Sequence, residues 1–107
     1  PATSDAGWEA VARVIAENDP HCRGVLMLGL EASEEALDQS FRIAAPHAIC
    51  RGFAVGRSIF ADAAATWFAG HMTDDQVEAD IADRYGRLIT RWDEARAGIA
   101  EATNSIF

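Results

Sequence analysis

At 107 residues, half of them apolar and a quarter charged, the chain has the composition of a single globular domain at most. Its net charge of −8 argues against nucleic-acid binding, which needs a dense cationic stripe, but leaves room for a small anionic metabolite held by a local nest of N–H groups. All nine basic residues are arginine, so no Schiff-base lysine exists anywhere in the chain.

Residues 1–18 read as a helix opening at Thr3, Ser4 or Asp5, with Trp8, Val11, Ala12 and Ile15 on one face, and Asn18-Asp19-Pro20 ends it. Gly24 to Leu30 follows as a strand that is apolar at both alternating positions, the pattern of a parallel strand covered on both faces. Ser33 caps a second helix, Glu34 and Glu35 lie in its first turn where the dipole favours negative charge, and Leu37, Phe41, Ala44 and Ala45 form its buried stripe up to Pro46. A second strand spans Ile49 to Val55. Ile59 to Ala69 is a short helix, apolar nearly all round and therefore expected to be buried on more than one side, and Gly70 stops it. Thr73-Asp74-Asp75-Gln76 is a capping box that opens the longest helix, whose apolar face is Val77, Ile81, Tyr85, Leu88, Ile89 and Trp92. Past Arg96 the periodicity weakens through Gly98, which makes 1–98 the folded portion and 99–107 an expected frayed tail.

The order αβαβαα contains an internal repeat. Cys22-Arg23-Gly24-Val25-Leu26-Met27-Leu28-Gly29 is echoed 28 residues later by Cys50-Arg51-Gly52-Phe53-Ala54-Val55-Gly56. That spacing accommodates a strand, a helix and two tight loops, the unit that joins parallel strands. Strands paired in the register of the repeat would set Cys22 and Cys50 about 5 Å apart, near enough for a disulfide, although free and mostly buried thiols are expected. His21, Cys22, His47 and Cys50 gather at the same end. Without paired Cys-x-x-Cys spacing, and at the strand starts, they read as structural residues rather than a zinc site. Two strands with this much helix leave both sheet edges unpaired. The chain, which begins at proline, is therefore expected to be a carboxyl-terminal piece of a larger α/β protein or to pair with other subunits, and to be unstable or to associate in isolation.

The chemistry concentrates where the strands end. Gly29 and Gly56 stand at the two carboxyl ends, where a missing Cβ either lets a ligand oxygen approach the backbone or simply permits a tight turn. Gly56-Arg57-Ser58 runs straight into a helix, so N–H groups and a guanidinium fork converge where parallel α/β proteins hold phosphate. Gly29, Leu30, Gly56, Arg57 and Ser58 are the candidate phosphate-binding residues. Glu31 is either a general acid or base or, more simply, an exposed loop carboxylate. Asp62 either caps the short helix or answers Arg57. His71 reads as solvated, Trp67, Phe68, Tyr85 and Trp92 as helix packing rather than a sugar platform, and Asp74-Asp75 as a helix start rather than a metal pair. No metal, cofactor or catalytic residue is assigned. No run is long and uncharged enough to span a membrane and no signal-peptide pattern is present, so a cytoplasmic location is expected.

On Cys22-Arg23-Gly24-Val25-Leu26-Met27-Leu28-Gly29-Leu30 and Gly52-Phe53-Ala54-Val55-Gly56-Arg57-Ser58-Ile59-Phe60, the sequence resembles the aldolase-like domain fused behind the sugar kinase in bacterial inositol-catabolism proteins known as 5-dehydro-2-deoxygluconokinases. The resemblance runs from about Trp8 to Trp92, and Val55 to Phe60 is more distantly similar to the last-strand signature of class I fructose-bisphosphate and tagatose-bisphosphate aldolases. It implies the end of a (β/α)8 TIM barrel, with the two parallel strands as strands seven and eight and the short helix as the extra helix that receives phosphate. The Schiff-base amine of that family belongs to strand six, so the 107 residues alone are not expected to cleave a carbon–carbon bond, and nothing in them resembles the kinase half. Leu30 stands where relatives carry a second glycine. The implied ligand is a phosphorylated sugar or sugar acid, and the implied partners are the rest of the barrel and a sugar-kinase domain, in an oligomeric parent. The contrasting expectations are a non-catalytic barrel domain that binds a phosphorylated metabolite or scaffolds a kinase, and an edge of another parallel fold such as a doubly wound domain.

Overall fold

A computed structural model describes residues 4–106, with side chains described for 4–98. The described residues are mixed α/β: four helices and one two-stranded parallel sheet in the order αβαβαα. Helix α1 (Asp5–Asn18) opens at Ser4, whose hydroxyl accepts from the Gly7 N–H at 3.1 Å, and Asn18 closes it by donating its side-chain amide to the Val14 carbonyl. Of its apolar face only Trp8 is buried, while Val11, Ala12 and Ile15 remain half covered.

Strand β1 (Val25–Leu28) leads through a turn to α2 (Glu34–Ala44), where the Ser33 hydroxyl accepts from the Ala36 N–H at 3.2 Å. Leu37, Phe41, Ala44 and Ala45 are buried, the stripe that the helical spacing requires. Strand β2 (Cys50–Ala54) pairs parallel to β1, Leu26 opposite Gly52, Met27 opposite Phe53 and Leu28 opposite Ala54. This register lies two residues away from the one that would align the two Cys-Arg-Gly copies, with an irregularity between Val25 and Leu26. Cys22 is therefore not set across from Cys50, and both thiols are free. The copies repeat locally instead: each Sγ donates to the carbonyl of the glycine two residues on, Cys22 to Gly24 and Cys50 to Gly52. Gly24 has φ +137°, and a Cβ there would sit 2.3 Å from Arg51 Cγ, so the strand start is closed to side chains on two grounds.

Helix α3 (Arg57–Phe68) begins three residues past the end of β2 at Ala54 and two residues earlier than its apolar pattern suggests. Helix α4 (Asp74–Ile106) is opened by the reciprocal capping box, in which the Gln76 N–H donates to the Thr73 hydroxyl and the Thr73 N–H to the Gln76 side chain. It continues past Gly98 to Ile106. The side chains from 99 onward, on which the expected fraying bears, lie outside the described residues.

The core lies on one side of the sheet, where Phe41 meets Phe53 at 4.7 Å and Trp92 edge-on at 5.5 Å, among Met27, Leu37, Leu88 and Ile59. An acid–base lattice joins α2 to α4 beside it: Glu34 accepts from Arg87 and Arg91, and Asp38 pairs with Arg42 at 3.0 Å and Arg91 at 3.3 Å. The other sheet face is bare. Leu26 and Leu28 are each 57% exposed, so the expectation of a strand covered on both faces fails: the described helices supply a layer on only one side. The same holds for α3, where Ile59 and Ala63 are buried but Phe60, Trp67 and Phe68 are exposed, Phe68 by 80%. Tyr85 and Ile89 likewise fall outside the core, which narrows the buried stripe of α4 to Leu88 and Trp92. With a radius of gyration of 16.7 Å, against about 13 Å for a compact body of this length, the molecule is open and elongated.

Candidate functional site

The parallel register carries both strand ends to the same edge of the sheet, and an opening of about 380 Å³ lies between them. Gly29, Leu30, Glu31, Gly56 and Arg57 all line it. Four of the five residues expected from sequence are thus brought together, with Ser58 just behind.

At the end of β1, Gly29 is buried and continues the ladder by donating to the Ala54 carbonyl at 2.9 Å. A Cβ on Gly29 would lie 2.7 Å from Val55 Cγ1, so the glycine serves close packing between the strands. Its carbonyl accepts from the Ala32 N–H at 2.9 Å, which closes a four-residue turn. The two central residues, Leu30 and Glu31, have φ of +47° and +63°. Both central positions are left-handed, the mirror-image turn class normally filled by glycine or asparagine. Leu30 thus stands in a backbone conformation that glycine usually supplies. Neither propensity nor periodicity signals this turn, because leucine and glutamate are poor candidates for φ > 0.

At the end of β2 only Val55 and Gly56 separate the strand from α3. Gly56 is the N-cap, at φ −143°, and no side chain caps the helix. The Gly56 carbonyl accepts from the N–H groups of Ile59 and Phe60, while the first-turn N–H groups of Arg57 and Ser58 have no backbone acceptor among the described residues. The helix thus presents unpartnered donors at its positive end.

Arg57 Nη1 lies 2.9 Å from Glu31 Oε1, across the opening, with side chains 63% and 56% exposed respectively. Glu31 is the residue whose place was least legible, since the pairing depends on the left-handed turn. Ser58 turns the other way, and its hydroxyl donates to the Ala32 carbonyl at 2.9 Å, stitching the start of α3 to the turn after β1. As a phosphate ligand Ser58 is left with its backbone N–H. Behind Arg57 a second cavity of about 330 Å³ is bounded by Ser33, Glu34, Asp62 and Arg84. Asp62 faces Arg84 at 3.9 Å, not Arg57, and Arg84 is itself held by Asp80 at 2.8 Å.

The remaining candidates sit apart from this edge. His47 Nε2 is 2.9 Å from Asp5 Oδ1 and its ring stacks on Trp8, and no metal-holding group of three or more His, Cys, Asp or Glu occurs among the described residues. His71 is exposed, and the Trp67 indole N–H donates to Asp74 at 2.9 Å, where α3 turns into α4. Among the described residues no helix is long and apolar enough to cross a membrane.

No curated protein and no solved structure matches the chain. Residues 1–96 match the model of an uncharacterized protein family conserved in bacteria, DUF2090, and the chain belongs to that family.

Proposed function

We propose that the chain corresponds to strands seven and eight of an aldolase-like (β/α)8 barrel and contributes the phosphate-binding end of a site for a phosphorylated sugar or sugar acid, in the catabolic setting of the 5-dehydro-2-deoxygluconokinase proteins it resembles. The observation that carries this reading is the convergence of an uncapped helix N-terminus, the Arg57 guanidinium and two strand-end glycines on one opening. The exposed apolar face of β1 and the two-stranded sheet suit a slice of a larger closed sheet. With no lysine in the chain, the chemical step belongs to residues elsewhere in such a barrel, and these residues bind and orient.

A second reading is a domain that binds a phosphorylated metabolite without turning it over, or scaffolds a kinase. It is favoured by the state of Glu31, the carboxylate at the mouth, which is engaged with Arg57 rather than free to move protons. A lysine on the strand preceding β1 in the barrel separates the two readings. The phosphate role common to both is tested by Arg57→Ala. Calorimetry should show about 10–100-fold weaker binding of a sugar phosphate and little change for the unphosphorylated sugar. Equal losses for the two ligands would remove Arg57 from the phosphate role.

A further inference from the structure

The free edge of β1 has a roof but no neighbour. An opening of about 260 Å³ is lined by Trp8 and Val11 of α1 and by Leu26, Met27, Leu28 and Leu30, with no residue of β2. Leu26 and Leu28 belong to the bare face of the sheet and Met27 to the buried one, so side chains of both faces meet in one slot, which is possible only around the edge of the strand. We propose that this slot takes an extended, uncharged apolar segment of a partner chain, which joins the sheet as a strand beside β1. The proposal uses neither Arg57 nor α3 and stands apart from the phosphate reading.

The backbone gives the first reason for a strand. The Val25 N–H donates to the Ile49 carbonyl at 2.8 Å and the Gly29 N–H to the Ala54 carbonyl at 2.9 Å, so by alternation Leu26 and Leu28 turn their N–H and carbonyl groups away from β2. Such a row of unpaired groups is a template for one more strand. The Trp8 indole gives the second. It is 5% exposed, and its N–H is the one buried side-chain donor without a hydrogen-bond partner among the described residues. A main-chain carbonyl of an added strand is the kind of acceptor it lacks. The lining gives the third: it carries no charge on a chain of net charge −8, and a strand seated there has apolar neighbours on both of its faces. A second copy fits less well, because two β1 edges pair symmetrically only about a two-fold axis normal to the sheet, which brings both α1 helices to the same side over a single slot.

The test follows amide exchange by NMR in the full chain. The probe is a capped peptide of five β-branched apolar residues between two lysines, N-methylated at alternate residues so that one backbone edge is open and the peptide cannot stack on itself. At about 1 mM it should slow exchange at Leu26 and Leu28 at least about tenfold, while a peptide of the same side chains methylated at every residue should have no effect. Leu28→Pro removes an edge donor and leaves the ladder to β2 whole, and Val11→Glu sets a carboxylate in the roof. Each should weaken the peptide at least about tenfold, read at Leu26. Exchange unmoved by the open-edged peptide, or slowed equally by the fully methylated one, overturns the proposal. Protection of Leu26 and Leu28 in the protein alone, growing with its concentration alongside a dimer in analytical ultracentrifugation, overturns the choice of occupant in favour of a second copy.

Discussion

The two strands leave the sheet in opposite ways. After β1 the backbone folds sharply onto itself through two left-handed residues, the Gly29 carbonyl closes the turn on Ala32, and α2 begins only after its own serine cap. After β2 the chain passes from strand to helix across only Val55 and Gly56, and the helix start has no side-chain partner. One end is spent on holding itself together, while the other keeps its donors free. A repeated sequence has thus produced a rigid wall and an open terminus facing each other, and the only side-chain ion pair between them is the one from Glu31 to Arg57 among the described residues.

Substitutions at equivalent positions should therefore differ in cost. The largest effect is expected at Gly29, where a Cβ meets a branched valine at 2.7 Å. Gly29→Ala should destabilise by about 1–3 kcal/mol in urea unfolding. Gly56→Ala places its methyl 3.3 Å from the Phe60 ring edge, which a small shift of that ring relieves, and should cost no more than about 1 kcal/mol. Equal losses at the two glycines would break the comparison. Leu30→Gly should act in the opposite direction and raise stability by roughly 0.5–1 kcal/mol, because the left-handed penalty of a leucine exceeds the entropy that glycine loses. A loss on that substitution would mean that the exposed leucine is held by contacts and that the turn is not strained.

A comparably small effect is expected away from the strand ends, in the α2–α4 lattice. The Arg42 hydrogen bond, against the opposing effect of burial and with help from Arg91, lowers the Asp38 pKa below its ordinary value of 3.8. A carboxylate with a depressed folded pKa contributes stability above its unfolded value and loses it as pH falls through the folded one. Melting temperature should therefore drop more steeply below about pH 4 in the wild type than in Asp38→Asn, with a difference near neutrality of no more than about 1 kcal/mol. Parallel curves would show that the lattice does not depend on Asp38.

What could be read from sequence was whatever the chain settles within one turn of itself. Ser33 and the Thr73–Gln76 box cap their helices as their spacing requires, and Leu37, Phe41 and Ala44 are buried because a three-and-four rhythm has one inward side. The parallel pairing and the meeting of Gly29, Leu30, Gly56 and Arg57 followed from the repeat. The two-residue stagger did not, because strands align by side-chain packing and not by likeness of sequence. The exposure of Leu26, Leu28 and Phe68 was hidden for a related reason: hydrophobicity states a demand for cover, and only the fold says whether a neighbour meets it. Glu31 needed both the turn handedness and the position of α3, two long-range facts that no local pattern encodes.

The two thiols give the molecule its own reporter. Cys50 is wholly enclosed at the foot of β2, with its carbonyl held by the Arg96 guanidinium that also lies over the Trp92 ring, whereas Cys22 is partly accessible. A thiol-directed label therefore marks Cys22 at once and reaches Cys50 only when the core around the foot of β2 opens, so the lag between the two modifications times the breathing of that core.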